Sequence, residues 1–207
     1  MQEVKRARFV RESADVRRQA LMEATARCLA EKGVAGTSVR AICERAGVSP
    51  GLLTHYFPGV DALMLATYVY FGTKVHEALD AATEQAGPDP RARLLACLRA
   101  NFLPPVLEPG LAGAWIAFWG LVSANGDFAA ARADGYGGVQ GRLERLLREA
   151  APQASDRTLV SAAIMLTALV SGLWLRLSLT PLSFTIAEAQ AMIEVAMDRA
   201  LEDAKAG

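Results

Sequence analysis

Residues 37–57, TSVRAICERAGVSPGLLTHYF, contain two helix starts separated by one tight break. Val39, Ile42, Cys43 and Ala46 fall at 0, +3, +4 and +7, the spacing of one apolar helix face. Thr37 and Ser38 place oxygens where that helix needs a cap, and Gly47 ends it because glycine enters the left-handed conformation of a close turn without steric cost. Only Gly47 and Val48 precede a second start, where Ser49 is an N-cap and Pro50 suits the first helical position. A short second helix is predicted over residues 50–57, with Leu53 and Phe57, four apart, turned inward and Val48 plugging the turn. Two short helices joined through a Gly-containing turn form a helix-turn-helix.

Working outward, Ala20, Leu21, Ala24, Cys28 and Leu29 recur on one helix face and Gly33 supplies a stop, which adds a preceding third helix. Downstream, Pro58 and Gly59 close the motif and Asp61 opens a longer helix through Leu63, Ala66, Val69 and Tyr70 toward Glu84. Further helices are predicted over residues 91–103 before Pro104-Pro105, over 115–122, and over 128–150, where Gly135, Gly137 and Gly138 are expected to kink or interrupt the helix. A very apolar stretch then runs from the loop at Pro152 to Leu179, and Thr185 caps a final amphipathic helix reaching Ala204. Strand-like alternation is scarce, so the chain is expected to be all-α with about nine helices.

The 207 residues are 52% hydrophobic and 21% charged, with 26 Gly plus Pro, which excludes disordered and collagen-like classes. Lys plus Arg equal Asp plus Glu at 22 each, a balance that would argue against a nucleic-acid partner if it were uniform. It is not: residues 1–58 carry ten basic and six acidic side chains, leaving twelve basic against sixteen acidic in the remainder. Cys28, Cys43 and Cys97 are widely spaced with no C-x-x-C pair, as expected of core thiols in a reducing compartment. The opening MQEVKRAR is charged, so no secretory signal is expected and a cytoplasmic location is.

For DNA recognition, the second helix would leave Pro50, Gly51, Leu52, Thr54, His55 and Tyr56 nearer the major groove. Leu52 suits a thymine methyl and Thr54 a base edge or phosphate, while Ser49 caps the helix whose first N–H groups could receive a phosphate. Thr37, Arg40, His55 and Tyr56 suit phosphate positioning. Short helix pairs also occur in proteins that never meet DNA. The basic lead-in, with Lys5, Arg6, Arg8, Arg11, Arg17 and Arg18, is open to two readings, a solvated tail or an arm in the minor groove.

In the second part of the chain, Trp115, Phe118 and Trp119 fall at i, i+3 and i+4 on one helix, and Trp174 is the remaining tryptophan. Such rings serve more often as core than as a cage, although a cage of them could hold a quaternary ammonium. Two His, no metal-spaced ligand set, no glycine-rich phosphate loop and no nucleophile–base arrangement give an enzyme, a metal site or a cofactor no support. Residues 158–175 lack charge and reach the lower length limit of a membrane span, but amphipathic flanks favour a buried helix.

The segment from Arg17 to Leu65 resembles the DNA-binding domain of TetR-family transcriptional repressors through Thr37, Ile42, Ala46, Gly47, Val48, Ser49, Gly51, His55, Tyr56 and Phe57. Many members carry a phosphate-contacting Lys where this chain has Val60. AWIAFW at residues 114–119, GLWLR at 172–176 and the LLTHYF ending resemble the BetI-type subgroup, which often has an acidic residue where this chain has Ser171. The resemblance implies a DNA-binding domain at 1–60 and a helical ligand-binding and dimerisation domain at 61–207. It implies a homodimer on a palindromic operator, paired through its last two long helices, that represses choline-to-glycine-betaine genes and responds to choline or another quaternary ammonium, with Trp115, Phe118, Trp119 and Trp174 as ligand-binding candidates. A multidrug-type repressor answering to lipophilic cations is the alternative within the same class.

Overall fold

The structure, a computed structural model, describes the backbone of residues 2–108, 110–180 and 183–206, and side chains within those spans from residue 14 to 205, Tyr136 excepted. The side chains of Lys5, Arg6, Arg8 and Arg11 therefore lie outside the described residues. Among the described residues there are nine α-helices and no strand: α1 Gln2–Gly36, α2 Val39–Ala46, α3 Pro50–Tyr56, α4 Val60–Gln85, α5 Pro90–Ala100, α6 Ala112–Ala124, α7 Gly126–Ala150, α8 Asp156–Leu179 and α9 Ile186–Ala206. The all-α class follows. Contacts divide the chain into two compact units, one of Met1–Phe71 with Pro109–Ala129, the other of Gly72–Glu108 with Ala130–Gly207.

In the first unit α1 breaks at Gly33, whose φ of 64° only glycine adopts readily. Ser38 caps α2 by accepting from Ala41 N–H at 3.2 Å, and Gly47 (φ 66°, ψ 33°) ends that helix in the left-handed region. Ser49 then caps α3 through Leu52 N–H at 3.3 Å, with Pro50 in its first turn. Leu21, Ala24, Cys28, Ile42, Cys43, Leu53, Phe57 and Leu63 close over one another as a single core, with Val48 packed at its edge. Ala20 is exposed, so the inward face of α1 begins one residue later than its apolar spacing suggests. Helix α6 lies against α1 in this unit, and Gly113 is what permits the approach: a Cβ there would stand 2.6 Å from the Ala30 carbonyl oxygen. By packing, then, the N-terminal helices gather residues well beyond position 60.

In the second unit α5 and α9 are tied by charge. Arg91 grips the Asp198 carboxylate with Nε and Nη2 at 2.8 and 2.7 Å, and Glu194 takes Arg91 on one oxygen at 3.1 Å and Arg99 on the other at 2.7 Å. Thr185 and Glu188 cap α9 reciprocally, each accepting from the other's backbone N–H, and hydrogen bonding from Thr185 holds the Glu188 carboxyl below its ordinary pKa. Helix α8 is apolar and long enough to cross a membrane, yet it buries Leu159, Ala163, Leu166, Val170, Trp174 and Leu177 inside the protein. Helix α7 corrects one expectation: Gly135, Gly137 and Gly138 do not interrupt it, and it runs as one helix from Gly126 to Ala150. Only Gly138 meets a tight neighbour, the His76 ring, which would lie 3.2 Å from a Cβ there; at Gly135 the same ring is at ordinary contact distance, 3.9 Å, and at Gly137 a Cβ would meet open space.

Gly113→Val should destabilise the protein by about 1–3 kcal/mol, because backbone rather than a flexible side chain stands in the way. The measurement is a urea midpoint, which should fall at unchanged m-value. Gly120→Ala on the same helix, where a Cβ meets open space, should be neutral or slightly stabilising.

Candidate nucleic-acid interface and aromatic cluster

Helix α3 has seven residues, too few to persist alone in water. Leu53 and Phe57 hold it, both buried in the core of the first unit, so the opposite side of the helix is fixed in orientation. On that side Pro50, Gly51, Thr54 and His55 are exposed, with Leu52 and Tyr56 half-buried. Thr54 Oγ1 donates within its own helix, to Pro50 O at 3.3 Å or Gly51 O at 3.1 Å, and keeps acceptor capacity toward solvent. The His55 and Tyr56 rings meet edge to face at 5.1 Å. A Cβ at Gly51 would touch nothing nearer than Ser49 Oγ at 4.0 Å, so the fold itself does not demand glycine there.

Ser49 and Arg40 are exposed at the ends of the motif. Thr37 differs: it is 6% exposed and its hydroxyl donates to Gly33 O at 2.8 Å, which binds it into the α1–α2 corner. Val60, where relatives of this pattern often carry Lys, is half-buried against the core.

The aromatic residues gather around a ring that the helical spacing alone did not single out. Tyr68 of α4 meets Phe118 at 5.3 Å, Phe128 at 5.8 Å and Trp115 at 6.1 Å between ring centres, and Trp115 meets Phe118 edge to face at 6.0 Å. Tyr68 follows Leu63, Met64 and Thr67 along one buried stripe, which is the signal by which it was findable. Phe128 sits in the first turn of α7, two residues after Gly126, where the helix begins. Trp119 is half-buried on α6. Trp174 belongs to the other unit, is buried, and donates its indole N–H to Val106 O at 3.4 Å.

The second unit also holds a polar cluster. Arg142 of α7 is buried and reaches α4, giving Nε and Nη2 to the Asp80 carboxylate at 2.8 Å each and lying 3.2 Å from His76 Nδ1 through Nη1. A guanidinium only donates, so His76 Nδ1 must accept and the imidazole is held neutral with its proton on Nε2. Burial, then the Arg142 charge, lowers the His76 pKa, and the Arg142 hydrogen bonds hold Asp80 below its ordinary value. Cys97 nearby is buried, and burial pushes its thiol up.

Residues 21–67 match the family described as bacterial regulatory proteins, tetR family, and residues 90–202 match the family described as BetI-type transcriptional repressor, C-terminal. The HTH-type transcriptional regulator BetI 2 of Chromohalobacter salexigens is 32% identical over 187 residues, 90% of this chain and 89% of that protein. BetI of Burkholderia ambifaria is 32% identical over 162 residues, 78% of this chain and 82% of that one. Among solved structures, a transcriptional regulator from Pseudomonas aeruginosa PAO1 superposes with a TM-score of 0.84 at 36% identity, covering 92% of this chain and 93% of that one. A transcriptional regulator from Saccharomonospora viridis in complex with choline shares the fold, with a TM-score of 0.75 at 18% identity over 87% of this chain and 95% of that one.

The Arg142 cluster has a pH signature. His76 is harder to protonate in the folded protein, so as pH falls below its ordinary 6.5 the unfolded chain binds the proton first and stability drops. Asp80, depressed from 3.8, contributes stability above that value and loses it as pH falls through the folded pKa. Tm should therefore fall in two stages on acidification; His76→Gln should remove the first and Asp80→Asn lessen the second. Asp80→Ala takes the carboxylate from the buried Arg142, but because Asp80 itself is half exposed and solvent screens the pair, the cost in denaturant titration at neutral pH should be about 1 kcal/mol.

Proposed function

The chain belongs to the TetR family of bacterial regulatory proteins, with a C-terminal part of BetI type, and from that premise we propose that it works as a homodimeric repressor on an inverted-repeat operator, released by choline or another quaternary ammonium. The observation that carries the DNA half of this reading is the anchoring of α3: Leu53 and Phe57 are buried, while Gly51, Thr54 and His55 are left outward on a helix with no structural use for their outer face. Pro50, Gly51, Leu52, Thr54, His55 and Tyr56 then face the major groove, with Ser49 at the helix start and Arg40 against the backbone. Two such helices in a dimer would enter grooves ~34–36 Å apart.

Support for the dimer comes from α8 and α9. Val160, Ile164 and Met165 on α8 and Met192 and Val195 on α9 are exposed apolar side chains, beside a groove of about 580 Å³ lined in part by Met165, Met192, Val195 and Arg199. Soluble monomers rarely leave such contiguous apolar surface open, and a second copy of the same two helices closes it as a four-helix seam. With a DNA operator as partner, the site of action is the bacterial cytoplasm.

For the effector, the half-buried Trp115 stands beside the buried rings of Phe118, Tyr68 and Phe128, and a cation admitted over such a face would gain up to ~2 kcal/mol per contact when desolvated. Trp119 and Trp174 remain candidates on α6 and α8. The BetI-type match and the choline complex of the Saccharomonospora relative favour choline over the lipophilic cations of a multidrug regulator. Helix α4 begins three residues beyond the Phe57 cap of α3 and carries Tyr68, which gives a ligand at the rings a covalent route to the DNA-reading helix. A coupling of ~1–3 kcal/mol would change operator occupancy several-fold or more.

The test is a mobility-shift titration with DNA from the protein's own upstream region. Thr54→Ala and Tyr56→Ala should each weaken binding by about 1–3 kcal/mol, and choline should quench or shift Trp fluorescence and release the DNA. No shift of an inverted-repeat fragment sinks the repressor reading. A normal shift with no choline response at millimolar levels sinks the effector alone.

A further inference from the structure

The C-terminal end of α3 is held by a contact from α1. Tyr56 is the last residue of α3, after which Phe57 turns extended (φ −139°, ψ 134°), so the final carbonyls of the helix have no following turn to donate to them. Arg18 supplies a donor: its Nη1 gives a hydrogen bond to Tyr56 O at 3.1 Å. Its guanidinium carbon also sits 4.6 Å from the centre of the Phe57 ring, in cation–π contact. One planar group from α1 thus fixes two successive residues at the end of α3, one by a directed bond and one by a face. A positive charge there also meets the negative end of the helix dipole. Helix α2 has a comparable tie to α1 through the Arg45–Glu31 ion pair.

We propose that Arg18 is a positioning residue for DNA reading: it sets the angle of α3 against α1, and operator preference depends on it through α3 rather than through a phosphate. This rests on α3 being the DNA-reading helix. Arg18 counts in the sequence as one more charge of a basic lead-in, but its hydrogen bond and its ring face give it a geometric task that net charge does not describe. The core of Leu53 and Phe57 fixes which face of α3 points out. It leaves the tilt about that buried axis to be set by contacts at the helix ends, Ser49 at the start and Arg18 at the finish. Lysine would keep the charge and lose the planar stack.

The experiment compares the full-length protein with Arg18→Met, Arg18→Lys and Phe57→Leu, measuring Kd for the operator fragment and for unrelated DNA across a salt series, with Tm and far-UV circular dichroism on each. Arg18→Met should weaken operator binding about tenfold, leave unrelated DNA and the slope of log K against log salt unchanged, and leave Tm within a few degrees. Arg18→Lys should recover only part of the loss. Phe57→Leu, which keeps an apolar filler but removes the ring face, should lower the same specificity ratio, and adding Arg18→Met to it should cost less than it does alone. A salt slope shallower by about 0.9, with both DNAs weakened alike, would mean a lost phosphate contact and overturn the proposal. Unchanged operator preference in Arg18→Met beside a wild-type protein that discriminates would overturn it too, while a wild-type protein without preference would overturn the reading of α3 and this assignment with it.

Discussion

A seven-residue helix cannot pay for its own formation in water, and the element proposed to read DNA is such a helix. Everything around it compensates for that shortage. Leu53 and Phe57 place it in a core whose other members come from α1, α2 and α4, so the element that would touch DNA has its position dictated by residues that would not. The glycine at 47, the caps at Ser38 and Ser49 and the α1 contacts to α2 and α3 all remove freedom that a longer helix would lose through its own hydrogen bonds. The same logic reaches α6, which depends on a missing side chain at Gly113 to come close to α1.

Legibility from the sequence followed the range of the physics. The caps at Ser38 and Ser49, the left-handed turn and the inward pair Leu53 and Phe57 are local rules, written within a few residues, and these appear in the structure as read. Thr37 was harder: its hydroxyl near a helix start reads as a cap or a phosphate ligand, and the structure has it donating to Gly33 O across the α1–α2 corner. The glycines of α7 are the clearest case of a non-local reason. Taken singly they read as breakers; with His76 of α4 packed against it, Gly138 is clearance.

The aromatic residues show the same limit. Spacing along α6 found Trp115 and Phe118 but was silent about Tyr68 and Phe128, because an i, i+3, i+4 pattern describes one helix and a cluster needs several. Trp174 fell into the other contact unit, where its indole N–H is engaged by Val106 O. Charge segregation, visible in the sequence as a basic head and an acidic body, has a counterpart in pairing: Asp80, Glu149, Glu194 and Asp198 of the second unit each hold an arginine of that unit.

The continuity of α7 has a consequence for its dynamics. Gly135, Gly137, Gly138 and Gly141 lie inside a single helix, and each interior glycine costs about 0.8–1.0 kcal/mol relative to alanine. The middle of α7 therefore sits closer in free energy to local opening than the Leu143, Leu146 and Leu147 portion that follows it, which is buried. Amide exchange along one uninterrupted helix would then be graded, fast across the glycines and slow beyond them. Any molecule that orders the glycine stretch does so at the expense of chain entropy, and that entropy is itself a means of tuning how tightly it is held.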